Sequence, residues 1–168
     1  MADFQKYIQR YLDLIPSENW IHELKIVTNE TLEIYTKLSE EQGNFAYAEG
    51  KWTLKVLLEH LTDTEKIFNY RALCIARKDT NNFPGFDEEA YAENGIANQL
   101  TLGELIEEFQ LNRLLSIAFY TKLNKEQLAQ IGNANGNQIS VETIARLVVG
   151  HNIHHLNIIK ERYLPFIS

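Results

Sequence analysis

Apolar residues recur at three- and four-residue steps along most of the chain, a spacing that predicts amphipathic helices. No segment of comparable length alternates between apolar and polar residues as a strand would. Five helices are predicted, over Asp3–Leu14, Asn19–Leu38, Thr53–Arg77, Thr101–Lys122 and Val141–Tyr163. Their expected N-caps include Ser17, Thr53 and Ser140, and Pro165 is expected to follow the end of the last helix.

Two connections between the predicted helices differ in composition from the rest of the chain. The segment Asp79–Leu100 is rich in Asn, Pro, Gly and acidic residues, and a helical turn is expected near Asp87–Tyr91. A short helical turn is expected at Asn124–Leu128, and Gly132–Asn137 has strong turn chemistry because Asn-Gly readily adopts left-handed conformations. Four long helices with one long crossover connection predict an all-α four-helix bundle, a single domain over residues 1–168.

The composition narrows the classes of function. A net charge of -7 without a basic cluster argues against a nucleic-acid partner, because phosphate contacts need grouped Lys and Arg. No apolar run approaches the roughly 20 residues that span a bilayer, and no signal peptide is recognisable. A single cysteine, Cys74, excludes an intrachain disulfide and fits a reducing compartment. A cytoplasmic location with no membrane contact is therefore expected.

Three of the five histidines lie within Gly150–His155, inside the last predicted helix. His151 and His155 are four residues apart and replace core residues on the apolar face of that helix. His60 occupies an equivalent position on the third predicted helix, Thr53–Arg77. Burying imidazoles without partners costs about a few kcal/mol each. Three histidines from two helices can close on one metal ion and leave coordination positions open, the pattern of catalytic sites.

Structural roles are the alternatives for these and the neighbouring residues. A histidine on an apolar face is often a core residue hydrogen-bonded to a carbonyl, with no metal at all. His154 lies off the best apolar stripe and is expected to line a pocket, support a ligand or lie at an interface. Asp63 is expected either to orient an imidazole or to be a solvated carboxylate. His22 is predicted to be partly exposed, and Cys74, about 21 Å along a helix from His60, to be a buried apolar residue.

Three segments resemble the DinB-like superfamily, which is unrelated to the DNA polymerase of the same designation. Lys51–Glu65 is similar to the first metal-ligand helix of that family, Gly150–His155 to its closing Gly-His-x-x-His-His motif, and Phe83–Tyr91 to a segment between them. The resemblance implies a four-helix bundle, often dimeric, with a divalent metal. By motif match the ligands would be His60, His151 and His155. Zinc, nickel, copper and iron all suit imidazole ligands, so the metal is not named by the sequence.

Characterised members of the family include thiol-dependent transferases and isomerases, among them bacillithiol transferases. The first hypothesis is thus a metal-dependent enzyme that presents a small-molecule thiol to an electrophilic substrate, or that activates water for hydrolysis. His154, Asp63 and Asn152 are the candidates for proton handling. The second hypothesis is a non-catalytic metal-binding stress-response protein, which predicts a closed site with no substrate cavity. A homodimer is expected from the aromatic-rich ends of the bundle, at Trp20, Tyr35, Phe45 and Tyr47.

Overall fold

The computed structural model describes residues 2–167 and is mostly helical. Its helices are α1 (Ala2–Leu12), α2 (Trp20–Tyr35), α3 (Glu40–Gly43), α4 (Leu54–Ala76), α5 (Glu88–Asn94), α6 (Leu102–Tyr120), α7 (Lys125–Ala129), α8 (Val141–Ile158) and α9 (Leu164–Ile167). A 3₁₀ turn spans Ala97–Gln99 and a π-helical turn spans Ile159–Tyr163. The four long helices α2, α4, α6 and α8 form the predicted four-helix bundle. In it α4 packs beside α6 and α8, and α2 contacts the same two helices.

Side-chain caps fix where most of these helices begin. The hydroxyls of Thr53, Thr101 and Ser140 accept hydrogen bonds from backbone N–H groups in the first turns of α4, α6 and α8. The predicted cap of α2 was wrong, because Asn19 accepts from His22 N while Ser17 Oγ donates to Glu23 Oε1. The expected helical turns in the crossover and after α6 are confirmed as α5 and α7.

The last helix departs from its predicted end. After Ile158 the backbone widens into the π-helical turn, and α9 then continues through Pro165. The helical backbone runs without a break from α8 through this turn into α9, and Leu164 N–H still bonds to the carbonyl of Ile159. Pro165 therefore lies within the last helical stretch and does not end it.

A small three-stranded sheet, which the periodicity does not predict, lies at one end of the bundle. It contains β1 (Asn82–Phe83), β2 (Ile131–Ala134) and β3 (Asn137–Ser140), in the order β1-β2-β3. Asn135 and Gly136 have φ of 50° and 73° and form the hairpin turn, as their sequence indicates. The parallel pairing of β1 with β2 holds the crossover connection against the hairpin. These strands are too short to produce a recognisable alternation.

The first helix packs directly onto the helix that carries two of the histidines. A Cβ at Gly150 would overlap the backbone carbonyl of Tyr11, so only glycine lets α1 approach α8 this closely. Close packing of the two helices therefore requires the glycine before His151. This packing places Tyr7, Ile8 and Tyr11 near the cluster.

The exposure of two groups of residues differs from what their sequence favours. On α6, Leu115 is 65% exposed and Ala118 is also exposed, although their apolar side chains and helical spacing favour burial. Trp20 and Tyr35 are 6% and 1% exposed, so they are core residues and cannot form an apolar patch for a partner. Phe45 and Tyr47 are partly buried against the same core. The homodimer stays a prediction.

Within the part of the chain that the structure describes, every helix is too short or too polar to span a lipid bilayer.

Candidate metal centre

The three histidines selected by the sequence lie together where α4 packs on α8. Their ligand nitrogens are all within 4.8 Å of one another. His60 comes from α4, and His151 and His155 come from successive turns of α8. Side chains four residues apart on a helix lie on the same face, so the two later imidazoles reach the first together.

His151 is the centre of the cluster. Its Nε2 atom is 3.1 Å from His60 Nε2 and 3.1 Å from His155 Nε2. The ring centroids are 5.0 Å apart for His60 and His151 and 4.5 Å apart for His151 and His155. His60 and His151 are buried, whereas His155 keeps some exposure.

Hydrogen bonding alone satisfies this arrangement poorly. The Nε2 of a neutral imidazole either donates one hydrogen or accepts through one lone pair, so His151 cannot serve both neighbours well. The Nδ1 atom of His155 is also buried without a hydrogen-bond partner among residues 2–167. A cation bound by three Nε2 lone pairs removes the conflict, and nitrogens about 2.1 Å from a tetrahedral zinc are about 3.4 Å apart. The donor set therefore fits a divalent metal.

Burial keeps all three imidazoles neutral, the form that binds metals. Desolvation lowers the pKa of His60 to about 4. It also lowers the pKa of His151 and of His155 well below the usual value, and the neighbouring imidazoles lower both further. Near neutral pH no proton competes for these nitrogens, so the lone pairs are free to coordinate an ion.

The metal-free protein is expected to lose stability as pH falls from about 6.5 toward about 4. In that window the unfolded chain protonates histidines that the folded protein keeps neutral, so stability is present above the window and declines within it. Each such histidine contributes a slope of about 1.4 kcal/mol per pH unit. Urea unfolding of chelator-treated protein across this range, beside a His60→Ala variant, measures the contribution. The variant should show the shallower dependence, and identical slopes would contradict a depressed pKa at His60.

The other polar candidates from the sequence do not join the cluster. Asp63 accepts a hydrogen bond from Lys66 Nζ at 3.0 Å, and the structure shows no bond from it to an imidazole among the described residues. Asn152 is 1% exposed and bonds to Arg113 and Thr31, so its amide is not available for proton handling. The predicted role in proton transfer is wrong for Asn152.

His154 lies beside the cluster without being part of it. It is half-buried, and its ring is 5.3 Å from the ring of Tyr11 in an edge-on arrangement. Burial lowers its pKa, as do the positive charges of Arg10 and Arg162. Its ring centroid is 5.1 Å from that of His155, and which of its expected roles it has stays a prediction. His22 is exposed, as its lack of a sequence partner indicates, while Cys74 is only half-buried and not the fully buried residue expected.

A buried charged network anchors the helices behind the histidines. Arg113 and Glu65, 1% and 2% exposed by side chain, form an ion pair of 2.8 Å. Arg113 also donates to Thr28 Oγ1 and to Asn152 Oδ1, both at 2.9 Å. These contacts tie α2, α4, α6 and α8 together next to His151. We infer that the network fixes the spacing of the two helices that carry the cluster.

A cavity of about 360 Å³ opens beside His151. Its walls come from α1, α4, α8, the hairpin and the loop after β1, and its apolar side chains include Phe4, Ile8, Phe68, Phe86, Ile139 and Leu147. Most of its lining surface is apolar and a smaller part is polar, as in small-molecule sites generally. Gly85, Phe86 and Glu88 in this lining belong to Phe83–Tyr91, the segment whose sequence resembles the DinB-like superfamily.

Several site residues are absent from the sequence-based set. Tyr11 contacts His151 with ring centroids 5.7 Å apart, and Trp52 contacts His60 at 4.7 Å. Burial raises the pKa of Tyr11 to about 12, so its hydroxyl stays protonated. The sequence held one indication of this contact with Tyr11. Gly150 lies inside a helix, and a glycine at such a position indicates a closely packed neighbour.

Comparison with known proteins gives consistent matches. The model of the DinB superfamily matches residues 23–159. A candidate metal-dependent hydrolase of Oceanobacillus iheyensis is 30% identical over 149 residues, covering 84% of this chain and 82% of that protein. A second one, from Bacillus licheniformis, is 26% identical over 148 residues, covering 85% and 82%.

A solved structure has the same fold. YfiT from Bacillus subtilis, described as a probable metal-dependent hydrolase with an unusual four-helix bundle topology, superimposes with a TM-score of 0.75. The match covers 86% of this chain and 83% of YfiT at 22% identity. At that identity the likeness establishes the architecture.

Proposed function

Because this chain belongs to the DinB superfamily, we propose that it is a metal-dependent hydrolase whose divalent ion is held by His60, His151 and His155. The observation that carries the proposal is the double position of His151, which is central to the cluster and also lines the cavity. A molecule in the cavity would therefore lie next to the ion. The names of the two curated relatives support the same class of reaction.

Each part of the site has a distinct task in this proposal. His60, His151 and His155 would hold the divalent ion, which would supply Lewis-acid chemistry for hydrolysis. The neutral imidazoles hold that ion and leave positions open, since a three-histidine set does not complete four-coordination. The apolar walls hold the substrate body and exclude bulk water, which strengthens electrostatic interactions at the reacting bond.

Two other functions stay as alternatives. A thiol S-transferase would use the same open position to bind a thiol, and a soft sulfur ligand suits zinc. A non-catalytic metal-binding stress-response protein predicts a closed site, and the 360 Å³ cavity beside His151 argues against it. Hydrolysis is favoured over thiol transfer because the two curated relatives carry the name of hydrolases.

Removing the metal is expected to abolish hydrolysis, and restoring it is expected to recover the activity. Protein purified without a histidine tag is analysed for metal content, stripped with chelator, and reloaded with zinc, nickel or iron. Each form is assayed on a panel of ester and amide substrates, and separately for conjugation of a small thiol to an electrophile. We expect about one ion per chain and a loss of activity of at least ~100-fold in the stripped form.

Other outcomes would decide between the alternatives. Activity that appears only in the thiol assay would replace the hydrolase with the transferase. Bound metal with no turnover in either panel would favour the non-catalytic alternative. Native protein that stays metal-free after incubation with all three ions would overturn the site itself.

A further inference from the structure

Arg71 is a buried cation with no carboxylate partner in the part of the chain that the structure describes. It is 8% exposed, and no Asp or Glu oxygen among residues 2–167 lies within 4.0 Å of its guanidinium nitrogens. Its contacts are a 2.5 Å hydrogen bond from Nη2 to the carbonyl of Pro84 and a 5.8 Å approach to the ring of Phe86. Buried charges are normally paired, so this guanidinium has unused capacity.

Comparison with Arg113 shows that it is unusual for a buried arginine of this protein to lack a carboxylate partner among the described residues. Arg113 is buried more deeply, at 1% exposed, but it is paired with Glu65 and bonded to two further side chains. Burial lowers the pKa of Arg71, and the group that most opposes this effect is the phenol of Tyr91, not a carboxylate. Arg71 therefore keeps an incompletely compensated positive charge next to an apolar space.

That space is the cavity beside the histidine cluster. Arg71, Phe68 and Thr64 all line it, and with His60 they follow one another along a single face of α4. The hydroxyl of Thr64 is buried and has no hydrogen-bond partner among the described residues. One side of the cavity thus runs from the metal ligands, past an unpartnered hydroxyl and an aromatic ring, to an unpaired guanidinium.

We propose that the occupant of this cavity is a carboxylic acid with an apolar body, and that Arg71 binds its carboxylate. A guanidinium presents paired N–H groups that match a carboxylate, and such charge-assisted bonds are among the strongest in proteins. At the end of the cavity away from the histidines, Arg71 is the one Lys or Arg among the described lining residues and Glu88 adds a negative charge, which favours a singly charged carboxylate over a dianionic phosphate there. The proposal rests on the proposed function only in taking the cavity as the substrate site.

The spacing limits the shape of this acid. Arg71 follows His60 by eleven residues, about 16 Å along a helix, and long helical side chains lean back toward the helix N-terminus. The guanidinium is therefore closer to the histidines than the backbone rise, but a molecule that reaches both still needs an apolar body between its carboxylate and its scissile bond. Combined with the proposed hydrolase, this describes an acid whose ester or amide bond lies at its other end.

Glu88 lines the same cavity and is the group that opposes an anion there. Burial and the nearby Glu89 raise the pKa of Glu88, and no Lys or Arg nitrogen of the described residues lies within 4.0 Å of its carboxylate. Its charge would repel an acid, so a Glu88→Gln variant should bind the acid more tightly. The expected change in affinity for the acid is therefore opposite to the change expected when Arg71 is removed.

The test is calorimetric titration of metal-loaded protein with phenylacetate, and with phenylacetamide as a neutral probe of the same size. An Arg71→Met variant should bind phenylacetate at least ~10-fold more weakly and bind phenylacetamide as wild type does. The exposed Arg77→Met variant, at the end of the same helix, is the matched control and should bind both probes normally. Glu88→Gln should strengthen phenylacetate binding by about 2- to 3-fold.

Different results would overturn the proposal. Equal loss of both probes in Arg71→Met would show that Arg71 only holds the Pro84 loop in place. Phenylacetate binding that survives in Arg71→Met but is lost in His151→Ala would place the carboxylate on the metal. Tighter binding of phenyl phosphate than of phenylacetate would overturn the carboxylate assignment. All of these are binding measurements, so they are independent of the hydrolase assays. Hydrolysis can be absent while Arg71 binds the acid, and hydrolysis can be present while Arg71 does not.

Discussion

Alanine at His151 is expected to leave less than a tenth of the wild-type metal content and to lower hydrolysis at least ~100-fold. His151 Nε2 makes both 3.1 Å contacts of the cluster, and its loss leaves only two imidazoles, His60 and His155, to hold an ion. Two nitrogens on different helices hold an ion far more weakly than three converging ones. Metal content by elemental analysis and turnover of the reloaded protein are the measurements.

His154→Ala is the matched control for this experiment. His154 lies on the same helix, three residues later, and is not among the clustered ligands. The control should keep its full metal content, with at most a modest change in turnover through its contact with Tyr11. If His151→Ala retained stoichiometric metal while His154→Ala lost it, the ligand set would be wrong.

The second large effect is expected at the buried ion pair of Arg113 and Glu65. Arg113→Met leaves the Glu65 carboxylate charged and buried, and breaking such a pair by removing one partner costs about 3–5 kcal/mol of unfolding free energy. Ser116 also donates to this carboxylate, but a neutral hydroxyl cannot replace the guanidinium. Urea unfolding monitored by circular dichroism measures the change.

A second variant keeps the test informative if Arg113→Met fails to fold. The double variant Glu65→Gln/Arg113→Met removes both charges and should be more stable than Arg113→Met alone, because no unpaired ion remains. The exposed pair Lys37 and Glu33 is the control, and Lys37→Met should change the free energy of unfolding far less, because solvent screens this pair. A loss as small for Arg113→Met as for Lys37→Met would contradict the structural role of the network.

The network and the metal cluster meet at neighbouring residues of α8. Asn152 receives a hydrogen bond from Arg113, and the adjacent His151 faces the cavity. The same helical turn therefore faces a polar structural network on one side and the candidate metal site on the other. This explains why Asn152, which looked like a proton-handling group in the sequence, is a structural residue.

The sequence predicted the bundle because its long helices carry their own signals. The helical period of apolar positions is local, and so are the caps at Thr53, Thr101 and Ser140. The three-histidine cluster was predictable for a related reason. Helical spacing places His151 and His155 on one face, and an apolar stripe shows that this face is buried.

The sequence alone could not place the residues whose roles depend on distant partners. Leu115 and Phe119 both look suitable for burial on α6, and only packing leaves the first exposed and the second against the core. The sheet was missed because β1, of two residues, is held by pairing with β2 about fifty positions later. Such pairing leaves no local period to detect.

What the sequence by itself determined is therefore the set of helices and the histidines on their buried faces, because both follow from repeats of three and four residues. The tertiary structure decided that α1 closes onto α8 at Gly150, that the Phe83–Tyr91 segment and the hairpin form walls, and that a cavity lies between them beside His151. It also decided that Arg113 is paired with a carboxylate while Arg71 has none among residues 2–167. The physical reason is that cavities and ion pairs join residues far apart in the chain, whose distances are set by packing and not by local sequence.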